Sequence, residues 1–466
     1  MSEHFDPDEL QGNILRGYKF DRVRYLMLEI IDRRKACGFL ALAAEAGNEF
    51  VPRITRERQW APPGPDRCFN IGITFQGLRA LGLTAADLAQ FPTDFREGMA
   101  HRATKIGDVG TSAPTHWDAP FNHPERIHLV ASIYSDTEMV LDGVQVQVSH
   151  FFNILGTRDG IALPNDKVFF GYRDSISQPK IDAVHDRDQK DVSEPSDPLG
   201  TLLLGHPSLH DSVWFGGRHP SVLLKNGTFD AFRVLEQDCA GFESWLSASA
   251  RVLLENDLAK DLLDLDDPWW VSEGLDLHGA LRELVAAQMC GRWRKGTPVE
   301  SSPESPNPPQ GVSLTNFDYN VVSRCPAGAH MRRCNPRGGP IVQRMANYTR
   351  RLVRRGMPYG PPFDPKNPDT EKRGLLGNFI GASISAQFEA IMSDWLNLGL
   401  QDPEITGSND PLLGANCRDT SWFDMKLRDG GRFRLHGLPR FVHPRGGAYL
   451  FLPSLPAIRS MAAQGL

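Results

Sequence analysis

An α+β fold in two successive units is what this 466-residue sequence predicts. Three observations predict it. Short apolar runs of strand length alternate with stretches of helical period. A polar segment rich in charge, Ser and Pro, Ala183 to Pro198, interrupts this pattern, and a second cycle of similar elements follows it. The length itself suits about two to three domains.

The elements follow in order. Val23 to Ile31 (VRYLMLEII) reads as a buried strand, and Lys35 to Ala46, rich in Ala and Leu, as a helix. Phe69 to Phe75 and Ile127 to Tyr134 are two further strands. Val144, Val146 and Val148 alternate with polar residues, which predicts a fourth. In the second cycle Asn226-Gly227 lies between apolar runs and signals a hairpin. Leu235, Cys239, Phe242 and Leu246 follow a helical spacing. So do Ile384, Phe388, Ile391 and Trp395, with Ser383 placed as a cap. Gly296 to Gly311, rich in Ser and Pro, reads as a surface loop. Ala448 to Leu452 closes the chain as a strand.

Composition excludes several function classes. The formal net charge is -6, with none of the basic excess that nucleic acid or an anionic membrane calls for. Seven cysteines, an odd number with no CxxC, read as reduced thiols rather than a disulfide framework. The acidic N-terminus, MSEHFDPDELQGN, has no apolar run of the secretory kind, and no stretch approaches a membrane span. The expectation is a cytoplasmic protein, with secretion by a non-standard route left open.

Three segments carry chemistry. In the first, Phe169 to Pro179, a strand-like run ends at Gly171 and is followed by Asp174, so that a carboxylate stands at the end of a strand. The bland reading is an Asp that caps a turn. In the second, CPAGAHMRRCNPR from Cys325 to Arg337, His330 sits among small residues that let a large flat group approach. Imidazole is a common haem ligand, and Arg332, Arg333 and Arg337 suit carboxylates such as haem propionates. A zinc site from Cys325, His330 and Cys334 lacks a fourth ligand, and thiolate ligation of haem is a third reading. In the third, RRLVRRGMPYG from Arg350 to Gly360, helical spacing would put Arg351 with Arg354 and Arg355 on one face. Arg344 adds to this basic cluster, whose bland reading is a solvated face.

Together these segments resemble one family, the dye-decolorizing peroxidases. Its distal Gly-x-x-Asp-Gly motif corresponds to Gly171 to Ser175, followed by Ile-Ser-Gln-Pro; CPAGAHMRRCNPR resembles its proximal-histidine motif and RRGMPYG its distal-arginine motif. The resemblance extends through QGNILRGY (11–18), LGTLLLGHP (199–207), FRVLEQD (232–238) and MCGRWRKGTP (289–298), nearly the whole chain and in order. One position departs from the motif: Ser175 stands where the family has Gly.

The resemblance implies two ferredoxin-like modules with antiparallel sheets flanked by helices, in a dimeric α+β barrel-like arrangement. Residues 1–200 would carry the distal Asp, and 201–466 the proximal His and the haem pocket. It implies haem b (iron protoporphyrin IX) ligated by His330, with Asp394 or Glu389 accepting the other ring N–H, and Arg337 and Arg354 contacting the cofactor. Asp174 would shuttle the peroxide proton, Arg354 would stabilise the developing charge, and Tyr359 would relay electrons from bulky donors. The expected substrates are hydrogen peroxide and an aromatic reductant such as a dye or phenol, with mildly acid conditions favoured. Neither nucleic acid nor membrane is an expected partner, and a homo-oligomer is compatible. The competing reading is a haem carrier, sensor or iron-releasing protein without peroxidase turnover, which needs His330 but not Asp174 with Arg354. A cofactor-free two-domain scaffold is the blandest alternative.

Overall fold

A computed structural model describes the chain except residues 1–5, 59, 61–63, 182–183, 185–195, 209–213, 309, 320–321, 339–348 and 466. Most of the connection at 183–198, and Arg344, lie outside the described residues.

Strands β1 (Arg22–Glu29), β2 (Arg67–Ile73), β3 (Leu129–Ser135) and β4 (Asn153–Ile161) pair antiparallel in the order β4-β1-β3-β2. Helices α1 (Arg33–Glu45) and α2 (Glu138–Ser149) connect them. Strands β5 (Thr228–Gln237), β6 (Val353–Tyr359), β7 (Gly374–Gly381) and β10 (Val442–Leu452) pair in the order β10-β5-β7-β6. Numbered within its own half, each set reads 4-1-3-2. The same ferredoxin-like order therefore occurs twice, and β10 beside β2, at Phe451 opposite Ile73, joins the sets into one eight-stranded sheet. The outer edges β4 and β6 pack together, with Gly160 against Met357, and give the sheet a barrel-like closure. The separate hairpin of β8 (Trp422–Lys426) and β9 (Arg432–His436) lies outside this sheet.

Helices α3 (Cys239–Glu255) and α4 (Leu277–Cys290) pack on each other and build a second core around Phe242, Leu246, Leu284 and Phe441. The larger core lies within the barrel and beneath α1 and α6 (Leu455–Gly465). No helix among the described residues is long and apolar enough to cross a membrane. All seven cysteines are free thiols.

Several sequence expectations need correction. The alternating run at Val144, Val146 and Val148 is part of α2, not a strand: Leu141, Val144 and Val148 are buried at helical spacing, while Val146 faces out. Leu235 ends up in β5, and the helix after it begins at Cys239 with Asp238 as cap. Asn226-Gly227 turns the chain, with Asn226 at φ 60°, but it leads from a loop into β5 rather than joining two strands. The Ser/Pro-rich segment is not wholly on the surface, since Thr297, Val299 and Ser302 are buried beside the bridge from Arg292 to Pro298. Arg354 and Arg355 are in strand β6, so helical spacing does not group them with Arg351. Ser383 does cap a helical segment, accepting from the Ala386 N–H, and that segment is π-helical over Ile384–Glu389 and Ile391–Asn397.

Candidate active site

Alternation along the strands gives the sheet two faces with different tasks. Arg233 and Leu235 of β5, Arg354 of β6 and Phe379 of β7 project from the outer face. The segment that carries His330 lines the same space. Two adjoining cavities, with about 1020 and 1100 Å³ of open space, share His330, Arg354, Leu235, Phe379 and Leu413 in their walls.

His330 opens the short helix α5 (His330–Cys334). Its Nδ1 lies 3.0 Å from Oδ2 of Asp410. A carboxylate only accepts, so Nδ1 donates and Nε2 keeps its lone pair for a metal. Asp410 is wholly buried, and its other oxygen accepts from the N–H groups of Leu412 and Leu413. Burial alone would raise its carboxyl. His330, Arg333 and the backbone donor hold it below the usual carboxylate range instead. The partner expected at Asp394 or Glu389 is therefore corrected to Asp410. Asp394 pairs with Arg350 at 3.0 Å, and Glu389 with Lys105, Arg102 and Tyr449.

The arginines around His330 fix the loop rather than a ligand. Buried Arg333 donates to the carbonyls of Gly328, Trp395 and Ser408 and to the Ser408 hydroxyl, tying α5 to the loop that carries Asp410. Burial lowers its pKa to about 10. Arg332 donates to Cys325 and lies over the Tyr319 ring. Arg337 donates to the carbonyls of Thr315 and Phe317 and stacks on Phe317, outside the walls of both cavities. Arg292, which the sequence did not single out, lines the cavity with a buried NH2 that has no hydrogen-bond partner. Cys334 packs its sulfur 3.7 Å from His330 Nε2. Among the described residues no group of three His, Cys, Asp or Glu is placed to hold a metal ion, which argues against the zinc reading.

Asp174 lines the same cavity as His330 and Arg354. Its backbone N–H donates to the Asp166 carbonyl, within a loop pinned by the bridge from Lys167 to Arg173. Gly171 before it has φ 83°, and Ser175 after it has φ 60°. The position where the family has Gly is thus left-handed, and Ser175 carries the strain that a non-glycine residue meets there. Gln178, not assigned a role from sequence, latches this loop to β6: its side-chain amide accepts from the Arg354 N–H and donates to the Arg354 carbonyl. The Arg354 guanidinium donates to the Ser177 carbonyl. Tyr359 is five residues beyond Arg354 on β6, an odd separation that puts it on the opposite face, about 16 Å along the strand. It is half-buried, and burial, with Glu236 and Asp118 adding to it, pushes its phenol above the ordinary value.

The residues present fit haem. An imidazole fixed through Nδ1 by a buried carboxylate, with only the Cys334 sulfur beside Nε2 among the described residues, is the kind of donor a haem iron takes. Phe379, Phe388, Leu396 and Leu413 give the cavity apolar walls for a flat ring. The unpartnered, buried guanidinium nitrogen of Arg292 suits an anionic group in the cavity.

Comparison with known proteins points the same way. The family model described as the DyP dimeric alpha+beta barrel domain matches residues 9–157. "Peroxidase 2" of Mycetinis scorodonius is 27% identical over 97% of this chain and 86% of its own length. "Multifunctional dye peroxidase DyP2" of Amycolatopsis sp. is 28% identical over 97% of this chain and 95% of its own. A solved dye-decolorizing peroxidase in complex with 2,6-dimethoxyphenol superposes with a TM-score of 0.79 at 25% identity, covering 98% of this chain and all of that one. The repeated 4-1-3-2 sheet, the paired His330 and Asp410, and peroxidase relatives aligned along nearly the whole chain agree in indicating a peroxidase of the dye-decolorizing type, an oxidoreductase that acts on peroxide.

Proposed function

We propose that this chain reduces hydrogen peroxide at a haem b held by His330 Nε2 and oxidises bulky aromatic donors in one-electron steps. One observation carries the reading. Asp174, Arg354 and His330 stand together in the wall of one cavity, with His330 fixed by Asp410. A haem carrier or sensor needs the second half of that arrangement and has no use for the first.

Bound haem supplies the iron that activates peroxide and the store of oxidising equivalents. The chain's own residues do the rest. Asp410 holds His330 in one tautomer and raises the electron-donating power of Nε2. The Asp174 carboxylate takes the proton from the near peroxide oxygen and returns it to the far one, which leaves as water. Arg354 presents its guanidinium to the charge that develops as the O–O bond breaks, and Ser177 and Gln178 keep it aimed. Arg292 is the better-placed propionate partner, with Arg337 acting behind it by steadying Phe317. Tyr359, on the far face of β6, is the exit for electrons drawn from donors too large for the cavity.

We also assign the chain to two modules, 1–200 with the proton shuttle and 201–466 with the iron ligand. The test is a spectrum and a rate. Haem-loaded protein should show a Soret band that shifts with one equivalent of peroxide and recovers with 2,6-dimethoxyphenol. Asp174→Asn and Arg354→Leu should keep the band and lose the shift. A band whose response to peroxide is unchanged in both variants overturns these roles.

A further inference from the structure

The inner face of the barrel holds a polar space of about 400 Å³ that the peroxidase reading does not use. Tyr25, Asn70, Tyr134, Asp230 and Asn378, from five different strands, line it, and Asn13 of the N-terminal segment closes it. Asn378 also lines the cavity that holds Asp174 and Arg354, and its amide donates to the Tyr25 hydroxyl at 2.6 Å. From there aromatic rings lead outward in sequence. Tyr25 and Tyr134 share a hydroxyl–hydroxyl bond of 3.0 Å, with ring centroids 6.5 Å apart. Tyr134 lies 5.2 Å from Tyr18, and Tyr18 stacks on half-exposed Trp60 at 5.6 Å.

We propose that Tyr25, Tyr134, Tyr18 and Trp60 form a second electron route, which discharges the peroxide site to the N-terminal surface when no donor occupies the Tyr359 side. It rests on the haem site assigned above. Electron transfer falls steeply with distance, so near-contact rings carry a charge in short hops that a single jump cannot match. Oxidising a phenol also requires a place for its proton, and this space contains one. Asn378 and Asn13 donate their amide hydrogens to the two hydroxyls and so take none. Asp230, buried to 3% exposure, has an Oδ1 with no hydrogen-bond partner.

The step balances as follows. Tyr25 gives one electron to the peroxide site. Its phenolic proton moves to the Tyr134 oxygen, and the Tyr134 proton crosses the space that both residues line to reach the Asp230 carboxylate. The next electron comes from Trp60 to Tyr134 across the Tyr18 ring, which keeps its own proton on the bond to the Asn70 amide oxygen and serves only as the bridge, and the proton returns from Asp230. Trp60 ends one electron poorer and releases its indole proton to solvent; an aromatic reductant there restores both. Besides Asp230, the titratable residues lining the space are Tyr25 and Tyr134. Burial pushes the Asp230 carboxyl up to about 8, so the route opens as pH rises towards that value.

The experiment is electron paramagnetic resonance on haem-loaded protein frozen after one equivalent of peroxide without donor, with the visible spectrum recorded on the same samples. Spin-trap adducts are mapped in parallel by mass spectrometry. The parent should give a tyrosyl or tryptophanyl signal, with adducts at Trp60 or Tyr18 that increase between pH 6 and pH 8 (roughly the range below the raised carboxyl). Trp60→Phe should move the spin onto tyrosine, and Tyr25→Phe should remove the Trp60 adduct while leaving the Soret band and its peroxide shift intact. Tyr134→Phe, which keeps the ring packing, is the second break in the chain. Parent-like signals and adducts in both tyrosine variants, with normal Soret bands, overturn the route and leave the haem reading standing. A parent with no Soret band overturns both.

Discussion

The segments that carry His330 and Asp174, proposed as the proximal and distal sides of one cavity, are built to different standards. On the proximal side His330 and Asp410 are tied together, and Arg333 clamps both their loops through four hydrogen bonds. On the distal side Asp174 sits half-exposed on a loop with two left-handed positions, and its neighbour Arg354 is held by a backbone carbonyl and the Gln178 latch. An iron ligand works by staying in one orientation, so burial and hydrogen bonding serve it. A proton shuttle must reach solvent and substrate in turn, and a half-open loop permits that at a cost in stability.

The largest expected effect comes from removing the proposed ligand. His330→Ala should abolish haem retention after gel filtration, read from the ratio of Soret to protein absorbance. Haem retained with a thiolate-type spectrum would transfer the proximal role to Cys334 and break the comparison at its root. Next comes Asp174→Asn, which should lower the second-order rate with peroxide by about 10²- to 10⁴-fold at unchanged haem content. Asp410→Asn should act in the opposite pattern, weakening haem binding or turnover by about 10- to 100-fold. A rate loss in Asp174→Asn matched by equal haem loss would erase the distinction between the sides.

Asp230→Asn carries the comparison to the inner face of the sheet. The folded carboxyl sits at about 8, above its unfolded value, so the folded state holds its proton longer. That contribution to stability is fully present below the unfolded pKa and is lost as pH rises through about 8. The stability gain of Asp230→Asn over the parent, read from denaturant melts, should therefore grow from acid to neutral pH and reach about 1 to 3 kcal/mol, the cost of an unsatisfied buried polar group. A gain independent of pH counts against a buried titrating carboxyl. The smallest change is Ser175→Gly, worth about 1 kcal/mol in denaturant melts, because glycine adopts the left-handed backbone without penalty. Its peroxide rate, compared with the parent, reports whether the Ser175 hydroxyl contributes anything to the shuttle.

Parts of this were legible in the sequence. The apolar runs at 23–31, 69–75, 127–134 and 448–452 became β1, β2, β3 and part of β10, because a strand buried on both faces leaves an unbroken hydrophobic trace. The VQVQV run in α2 misled because alternate valines fit a strand and Leu141, Val144 and Val148 fit a helix, and only the partner surface chooses between them. His330, Asp174 and Arg354 were readable as motifs, and the structure brings them to one cavity. Asp410 was not readable. It lies 80 residues from His330 in a turn whose sequence, Ser-Asn-Asp-Pro, looks like any loop. Gln178 stood within a recognised stretch, but its bond to the Arg354 backbone is a tertiary fact that no local pattern carries.

Strand β10 has a consequence for how the molecule is assembled. It pairs with β5 along ten positions and also meets β2, while α6 behind it covers α1. Strand β10 thus closes the first module as well as the second. Until that stretch emerges, the β2 edge of the nascent protein is an open template for any other extended segment. The two modules share an architecture, yet the first is completed only by the end of the second. A ribosome translating this message holds an unfinished barrel until β10 has emerged.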